Sequence, residues 1–340
     1  MTRWILAMMA AAGLAAAANK TVDFYFVDVE GGQATLIVTP EKESILVDAG
    51  WAGFDKRDAK RILAAAKKAG VKKIDYMVMT HYHTDHVGGI QQLAELIPVG
   101  TFVDHGDNRE SDKPAERLTS SYLEAVKSGK HLVVKPGDKL PLKKVSVEIV
   151  TADGNTTTRE GKPNPLCANA QKKADDLGEN ARSVGFLLTY GKFKFVDLGD
   201  LTWNKELELA CPTNKVGEVD LYLTTHHGLD QSNAPELVHA LNPRVAIMNN
   251  GAKKGGTAPA WKTIKASPRL QDMWQVHFAL AGGKETNVQD MFIANTDETG
   301  TEYYLKVSAD ANGGMEVYNS RNKFKKTIRR VRDQGATFAR

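Results

Sequence analysis

The sequence predicts an α/β protein built as a four-layer αββα sandwich, with two β-sheets packed face to face and helices outside them. Strand-like segments come in an early block and a late block, each followed by helical segments. Glycine turns at Gly31-Gly32 and at Gly191 separate neighbouring strand segments and indicate antiparallel hairpins. The alternative is a doubly wound parallel sheet, which these hairpins disfavour.

The early block contains three strand segments before its first helix. They are predicted at 21–29, 34–39 and 43–48. A helical pattern then covers about 55–69 and ends at Gly70, whose freedom of φ suits the end of a helix. The continuous apolar run 74–80 is typical of a strand that is buried on both faces. Further along, the sequence predicts a helix at 91–96, a strand at 100–106, a helix at 114–128 and a strand at 144–152.

The late block repeats this alternation. A hairpin around Gly191 is followed by a helix at 205–211, the strand "VDLYLTTHHG", the helix "APELVHAL" and the strand "RVAIMNNG". Residues 153–182 show no periodicity and are interpreted as a loop or insertion over the site. The main domain is expected to cover 19–320, and the Lys/Arg-rich stretch 321–340 is expected to be a basic tail.

Composition places the chain among soluble globular proteins. Of its 340 residues, 42% are hydrophobic and 25% are charged, and the net charge is +4. Residues 1–18 combine a cation, a short apolar stretch and a run of alanines, which is the pattern of a signal peptide. We therefore expect cleavage near Ala18, an exported protein in the periplasm or medium, and no stable membrane insertion after cleavage. An uncleaved N-terminal anchor is the alternative.

One loop concentrates potential metal ligands. The segment "HYHTDH" holds three of the nine histidines of the chain, and it directly follows the buried strand that ends at Thr80. Its potential ligands are His81, His83, Asp85 and His86. Nitrogen and oxygen donors at this density are what zinc-type divalent ions accept. The sequence therefore predicts a metal site at the end of this strand.

These residues resemble the H-x-H-x-D-H signature of the metallo-β-lactamase-fold hydrolases. Two later segments extend the resemblance, since "VDLGDL" resembles the bridging-carboxylate motif and "LTTHHG" resembles the last histidine motif. The resemblance implies a site for one or two divalent ions, zinc in the first place with manganese as the alternative. Asp85, His86, Asp200 and His227 would hold one ion, and His81, His83 and Asp200 would hold the other. His226 would contact substrate as a catalytic residue together with Asp85, although either histidine of the pair can be the ligand.

The opening stretch "DVEGGQATLI" is similar to the start of the hydrolase domain in ComEC-type DNA-uptake proteins. The wider family has one more histidine ligand before the bridging aspartate, and this chain has Asn180 and Ser183 at the expected place. His105 either reaches the site or stays outside it. Asp48, in "ILVDAG", would orient a ligand histidine.

The resemblance implies hydrolysis by a hydroxide that forms at the metal. Phosphodiester-type substrates are favoured because the chain is basic, has the Gly/Lys loop "NNGAKKGG", and carries the ComEC-like stretch. The partner would be a small molecule or a phosphodiester, with nucleic acid as an extension of that class. The alternatives are a lactone or β-lactam hydrolase and, in a different class, an exported metal-binding module without activity. Export would also let Cys167 and Cys211 form a disulfide, with two free thiols as the alternative.

Overall fold

The computed structural model describes residues 20–298 and 302–330, so the predicted signal peptide at 1–18 lies outside the described residues. The chain forms two nine-stranded sheets and a small two-stranded pair. The first sheet contains β1 (Thr21–Phe26), β2 (Thr35–Val38), β3 (Ser44–Val47), β4 (Ile74–Val78), β5 (Val99–Asp104), β6 (Lys130–Val133), β18 (Leu305–Asp310), β19 (Met315–Asn319) and β20 (Lys325–Ile328). The second contains β7 (Lys139–Leu140), β8 (Ser146–Ala152), β9 (Asn155–Thr156), β11 (Gly185–Tyr190), β12 (Phe193–Asp197), β14 (Leu221–Leu223), β15 (Val245–Met248), β16 (Asp272–His277) and β17 (Ile293–Asn295). The pair is formed by β10 (Lys162–Pro163) and β13 (Thr213–Asn214).

Helices cover the outer face of each sheet. They are α1 (Arg57–Ala69), α2 (Thr84–Val87), α3 (Ile90–Ala94), α4 (Lys113–Val126), α5 (Trp203–Ala210), α6 (Pro235–Leu241) and α7 (Ala258–Lys265). The bounds of α1 agree with its predicted pattern, and Gly70 follows it with a φ of 76°. Asp112 begins α4 by accepting a hydrogen bond from the backbone N–H of Ala115 at 2.8 Å.

Three apolar cores confirm the predicted four-layer αββα sandwich. In β1, Phe24 and Phe26 face the second sheet, while Tyr25 faces the helices, because successive side chains of a strand point to opposite sides. Burial on both faces explains why this strand reads as a continuous apolar run. A third core packs the second sheet against α5, α6 and α7 through residues such as Leu237 and Ile264. The doubly wound single sheet, which was the alternative, is not formed.

Both sheets mix antiparallel and parallel pairs. In the first, β1, β2 and β3 are antiparallel neighbours, while β3, β4, β5 and β6 run parallel. In the second, β11 and β12 form the predicted hairpin, and β12, β14, β15, β16 and β17 run parallel. The carboxyl ends of these parallel strands therefore meet at one edge of the sandwich, where loops can bring polar side chains together.

The prediction that residues 321–340 form a basic tail is wrong for part of that segment. Residues 325–328 form β20, which pairs with β19 and closes the edge of the first sheet. The lysines of this strand hid its alternation in the sequence. Ile328 is buried in the core between the sheets, while the ammonium group of Lys326 lies 2.6 Å from the carboxylate of Asp272. Residues 331–340, the remainder of that expected tail, lie outside the described residues.

Residues 153–182, which the sequence analysis interpreted as a loop or insertion, contain two-residue strands and 3-10 turns. Residues 170–178 within this segment have no regular secondary structure. Cys167 in this segment forms a disulfide with Cys211 at the end of α5, and the Cα atoms are 5.6 Å apart. Of the two states that the sequence left open for these cysteines, the structure therefore contains the disulfide. Within residues 20–298 and 302–330, no helix combines the length and the apolar character needed to cross a bilayer.

Candidate metal centre

Four side chains from three separate loops converge at the carboxyl edge of the sandwich. Asp85 and His86 lie in the loop and short helix after β4, Asp200 follows β12, and His227 follows β14. One ligand atom from each of them lies within 4.8 Å of those of the other three, and all four side chains are buried. The H-x-H-x-D-H loop therefore meets the two later motifs that the sequence had indicated.

Five donor separations within this group are close to those of a tetrahedral metal site. His86 Nε2 lies 3.2 Å from His227 Nε2, 3.1 Å from Asp85 Oδ2 and 3.2 Å from Asp200 Oδ2. His227 Nε2 lies 3.2 Å from Asp85 Oδ2 and 3.3 Å from Asp200 Oδ1. With metal–ligand bonds of about 2.0–2.1 Å, neighbouring donors of a tetrahedron lie roughly 3.3–3.4 Å apart. Donor spacing and donor type therefore both fit a zinc-like ion.

Hydrogen bonding at the far side of the His86 ring supports the same conclusion. His86 Nδ1 lies 2.7 Å from Asp48 Oδ2, so Nδ1 carries the proton that this carboxylate accepts. The Nε2 lone pair of His86 is then directed at the other members of the group. Asp48 itself accepts hydrogen bonds from the backbone N–H and the hydroxyl of Thr80, at 2.8 and 2.7 Å. Asp48 thus contacts His86 and holds the orientation of its ring within the candidate centre.

The charges of the group also favour a cation. Burial disfavours the charged form of His86, but Asp200, Asp85 and Asp48 outweigh burial and raise the pKa of His86 well above its usual value. Burial would raise the pKa of Asp200, but His227 and His86 hold it well below its usual range. Two buried carboxylates therefore attract positive charge, as protons on the histidines or as a metal ion in their place.

The other two histidines of the loop form a more open arrangement. His81 Nε2 lies 3.1 Å from His83 Nδ1, but it lies 4.0 Å from Asp200 Oδ2. The second nitrogen of His83, Nε2, lies 3.2 Å from a carboxylate oxygen of Glu110. Glu110 belongs to no motif of the sequence analysis and lies 27 residues further along the chain than His83.

His226 lies against Asp200 on the outer side of the centre. Ser232 donates its hydroxyl proton to the carbonyl of Leu201 at 2.7 Å, and its oxygen lies 3.3 Å from His226 Nδ1. On its other side, His226 Nε2 lies 3.3 Å from the carboxylate oxygen Oδ2 of Asp200. Burial lowers the pKa of His226, so a neutral ring is favoured. His227 belongs to the four-residue group, while His226 contacts it from one side.

Asn180 and Ser183 lie in and after the 3-10 turn Asn180–Arg182. The Ser183 hydroxyl lies 3.5 Å from His81 Nδ1 and accepts the backbone N–H of Asp200 at 3.2 Å. The side-chain oxygen of Asn180 is buried and has no hydrogen-bond partner within the described part of the chain. Ser183 therefore positions both sides of the centre, while Asn180 keeps a free acceptor.

His105 points to a different partner. Its Nε2 lies 2.9 Å from the buried carboxylate of Glu179, which also accepts the backbone N–H groups of Tyr82 and Arg109. Of the two expectations for His105, this contact favours the one outside the metal centre. Glu179 escaped sequence reasoning because its partners lie 70–97 residues away.

The Gly/Lys loop after β15 reaches the centre. Lys254 donates from its ammonium group to Asp85 Oδ2, and the same group lies 5.4 Å from the ring centre of Trp51. The Gly31-Gly32 turn allows this approach, because a Cβ atom at Gly31 would lie 2.9 Å from the Cβ atom of Lys254. A loop that reads as a solvated turn is therefore part of the site.

A second acidic cluster beside the centre is an ion-pair network. His277 Nε2 lies 2.6 Å from Asp28 Oδ1 and 3.7 Å from Glu30 Oε2. The guanidinium group of Arg61 lies 2.8 Å from Asp28 Oδ2 and 3.1 Å from Glu30 Oε1. Because a cation already joins the two carboxylates, this cluster stabilises the "DVEGGQ" turn. His277 is thereby accounted for as a structural residue.

Comparisons with known proteins give a fold family. Residues 27–165 match the model of the metallo-β-lactamase superfamily. No curated protein matches the sequence. Among solved structures, the chain is similar to the metallo-β-lactamase fold protein YhfI from Bacillus subtilis, with 12% identity, a TM-score of 0.45, and coverage of 84% of this chain and 99% of YhfI. It is also similar to Tm1679, described as a metal-dependent hydrolase of the β-lactamase superfamily, with 15% identity, a TM-score of 0.45, and coverage of 77% and 97%.

A third similar structure is CmlA, a diiron β-hydroxylase from Streptomyces venezuelae, with 15% identity, a TM-score of 0.40 and coverage of 75% of this chain. The match spans 48% of CmlA, about half of its length. The family model covers strands β2 to β6 of the first sheet and the H-x-H-x-D-H loop, and the observed four-layer sandwich matches the fold of that family. Residues 27–165 are therefore similar to the metallo-β-lactamase superfamily, and the chain has a candidate metal-binding centre.

Proposed function

We propose that this protein is an exported, zinc-dependent hydrolase that acts on phosphodiester-type substrates. The observation that carries the proposal is the group formed by Asp85, His86, Asp200 and His227, whose donor atoms have tetrahedral spacing. These four residues would hold the ion. When bound, such an ion supplies Lewis acidity and lowers the pKa of a coordinated water towards neutrality.

The residues around the ion would divide the remaining tasks. Asp48 and Thr80 keep the His86 ring in the orientation and tautomer that a metal ligand needs. His226 lies against Asp200 with a ring that burial keeps neutral, so it can hydrogen-bond to a water or a substrate at that face. His81 and His83 would contribute a second, weaker site next to Asp200, in keeping with their wider spacing.

Lys254 supports an anionic substrate. Its ammonium group contacts the centre at Asp85, while 30% of its side chain remains exposed. A phosphodiester carries a negative charge next to the bond that breaks, and a neutral lactone does not. A cation at this position therefore favours the diester, and the similarity of "DVEGGQATLI" to ComEC-type domains supports the same choice.

Export is proposed from the pattern of residues 1–18. The Cys167–Cys211 disulfide supports it, because disulfides persist in oxidising compartments such as the periplasm and the extracellular medium.

The proposal is tested by metal content and turnover measured on the same protein. We expect about one or two equivalents of zinc, and hydrolysis of bis-p-nitrophenyl phosphate that exceeds hydrolysis of a lactone or of nitrocefin. His227→Ala and Asp200→Ala should lose both zinc and activity. The matched control is His239→Ala, since His239 bonds to the backbone carbonyl of Thr263 and takes no part in the centre.

Each alternative has its own outcome. Turnover of the lactone or nitrocefin without turnover of the diester would replace the proposed substrate class. A zinc-loaded protein that is inactive on all three substrates would favour the non-catalytic binding module. A protein that holds no stoichiometric metal would overturn the proposal as a whole.

A further inference from the structure

A cavity of about 390 Å³ opens between α5 and the segment 170–178. Its walls include Lys173, Asp176, Asn180, Thr202, Trp203 and Gln231. The cavity is separate from the four ligand side chains, and no step of the proposed hydrolysis uses it.

Three residues that line the cavity are linked to the candidate metal centre along the chain or through a hydrogen bond. Thr202 is two residues after Asp200, and Asn180 accepts the backbone N–H of Ser183, whose hydroxyl contacts Asp200. Gln231 precedes Ser232, the partner of His226 Nδ1. These three residues place the cavity next to the segments that carry Asp200 and His226.

The outer wall is held in place by specific contacts. The indole N–H of Trp203 donates to the carbonyl of Gln171 at 2.8 Å. The side chain of Asn204 donates to the carbonyl of Lys173 at 2.8 Å and accepts the N–H of the same residue at 3.0 Å. The cavity is therefore formed before any ligand binds, although residues 170–178 have no secondary structure.

The chemistry of the lining defines the kind of group that fits. Trp203 provides an aromatic surface, and the ammonium group of Lys173 lies 3.7 Å from its ring centre. Lys173 and Asp176 balance each other in charge, so the lining does not select an ion. Asn180 offers a buried side-chain oxygen that has no partner among residues 20–298 and 302–330. Aromatic surface, near-neutral charge and free amide groups suit a planar, uncharged group that donates and accepts hydrogen bonds.

We propose that this cavity is a specificity subsite for a heteroaromatic group, such as a nucleobase, that is attached to the phosphodiester. The inference deepens the proposed function and rests on it: the phosphate binds at the metal centre beside Lys254, and the heteroaromatic group binds against Trp203. Trp203 is then a residue that determines specificity and takes no part in the chemical step.

The test uses two substrates that share a leaving group. Thymidine 5′-p-nitrophenyl phosphate carries a nucleoside, including the base that the cavity would receive, where methyl p-nitrophenyl phosphate carries a methyl group. Wild-type protein should prefer the thymidine ester by roughly 10- to 100-fold in kcat/KM, since stacking of a base on an aromatic side chain contributes about 1–3 kcal/mol. Trp203→Leu should lose most of this preference and leave the methyl ester rate within about twofold, whereas Trp203→Phe should keep a large part of it.

A binding measurement separates this inference from the proposed function. Thymidine alone, which carries no phosphate, should shift the indole N–H signal of Trp203 in a ¹⁵N–¹H spectrum of the protein and leave that of Trp51 unchanged. This result would support the subsite even if neither ester were hydrolysed, an outcome that would count against the proposed function alone. If Trp203→Leu fails to fold, kcat/KM for the two esters is measured with Gln231→Ala, which should also reduce the preference for the thymidine ester. Equal turnover of both esters by the wild type, together with no shift by thymidine, would overturn the inference.

Discussion

The ammonium group of Lys254 donates a hydrogen bond to Asp85 Oδ2 across a sequence separation of 169 residues. This contact joins the Gly/Lys loop after β15 to the H-x-H-x-D-H loop after β4. It places the partly exposed side chain of Lys254 beside the four candidate metal ligands, which are buried. An anionic substrate would therefore meet this cation directly beside the candidate metal ligands.

Replacing this cation should weaken binding of anionic substrates. Lys254→Ala should raise KM for bis-p-nitrophenyl phosphate by roughly 10-fold or more, because a charge-assisted hydrogen bond contributes about 1.5–3 kcal/mol. The KM of a neutral ester such as p-nitrophenyl acetate should change little. Steady-state kinetics at matched zinc content measures both values.

The neighbouring lysine provides the control for this variant. Lys253 pairs with Glu298 and has a side chain that is 73% exposed, so Lys253→Ala removes the same charge outside the centre. Equal KM changes in the two variants would mean that Lys254 acts only through overall charge. A loss of zinc from Lys254→Ala would mean that the residue serves the metal and not the substrate.

Asp48 should affect metal affinity without being a ligand. Asn is the informative replacement, because the φ of Asp48 is 58° and Asn tolerates this left-handed region better than most residues. Asp48→Asn removes the charged acceptor of His86 Nδ1–H, so zinc affinity should fall roughly 10- to 100-fold. Titration against a competing chelator measures the affinity, and excess zinc should restore activity. Unchanged affinity would show that Thr80 and packing alone orient His86.

Local sequence patterns predicted much of the fold and the core of the site. Phe24 and Tyr25 face different layers, and this double burial appears in the sequence as an uninterrupted apolar run. The loop after β4 was visible from composition, since it holds three of nine histidines. Its later partners, Asp200 and His227, were selected through the resemblance of two motifs.

What the sequence did not predict depends on contacts between distant segments. Glu110 and Glu179 became candidates only when folding placed them beside His83 and His105. The strand β20 was hidden because Lys326, on the same face as the buried Ile328, pairs with Asp272, which the sequence cannot reveal. Similarly, Trp203 forms a cavity wall only because residues 170–178 lie across the start of α5.

The disulfide should stabilise the native state by constraining the unfolded chain. Cys167 and Cys211 are 44 residues apart, and cross-linking a loop of that length contributes about 4 kcal/mol in the chain-entropy model. The double variant Cys167→Ala, Cys211→Ala should therefore unfold at lower urea, and a reducing agent should shift the wild type in the same direction. The variant itself should not respond to the reducing agent. Equal urea midpoints for wild type and variant would contradict this prediction.

The stability of the folded protein should decrease as pH rises, because Glu206, which is buried on α5, loses its proton. The carboxylate oxygen Oε2 of Glu206 accepts the backbone N–H of Ala234 at 2.7 Å and so supports the segment after His226 and His227. Burial, the main cause, raises the pKa of Glu206 from 4.5 to about 7. Between these two values the folded protein binds more protons than the unfolded chain, so its stability decreases as pH rises.

Glu206→Gln isolates this effect because glutamine keeps an acceptor for Ala234 and does not ionise. The wild type should lose up to about 3 kcal/mol relative to Glu206→Gln between pH 4.5 and 7, with no further change above that range. Urea unfolding at several pH values measures the difference. Glu208→Gln on the same helix is the control, since its side chain is 47% exposed and pairs with Lys205. Stability curves for wild type and Glu206→Gln that stay parallel across this range would mean that Glu206 remains ionised in the folded protein, compensated by the backbone donors around it.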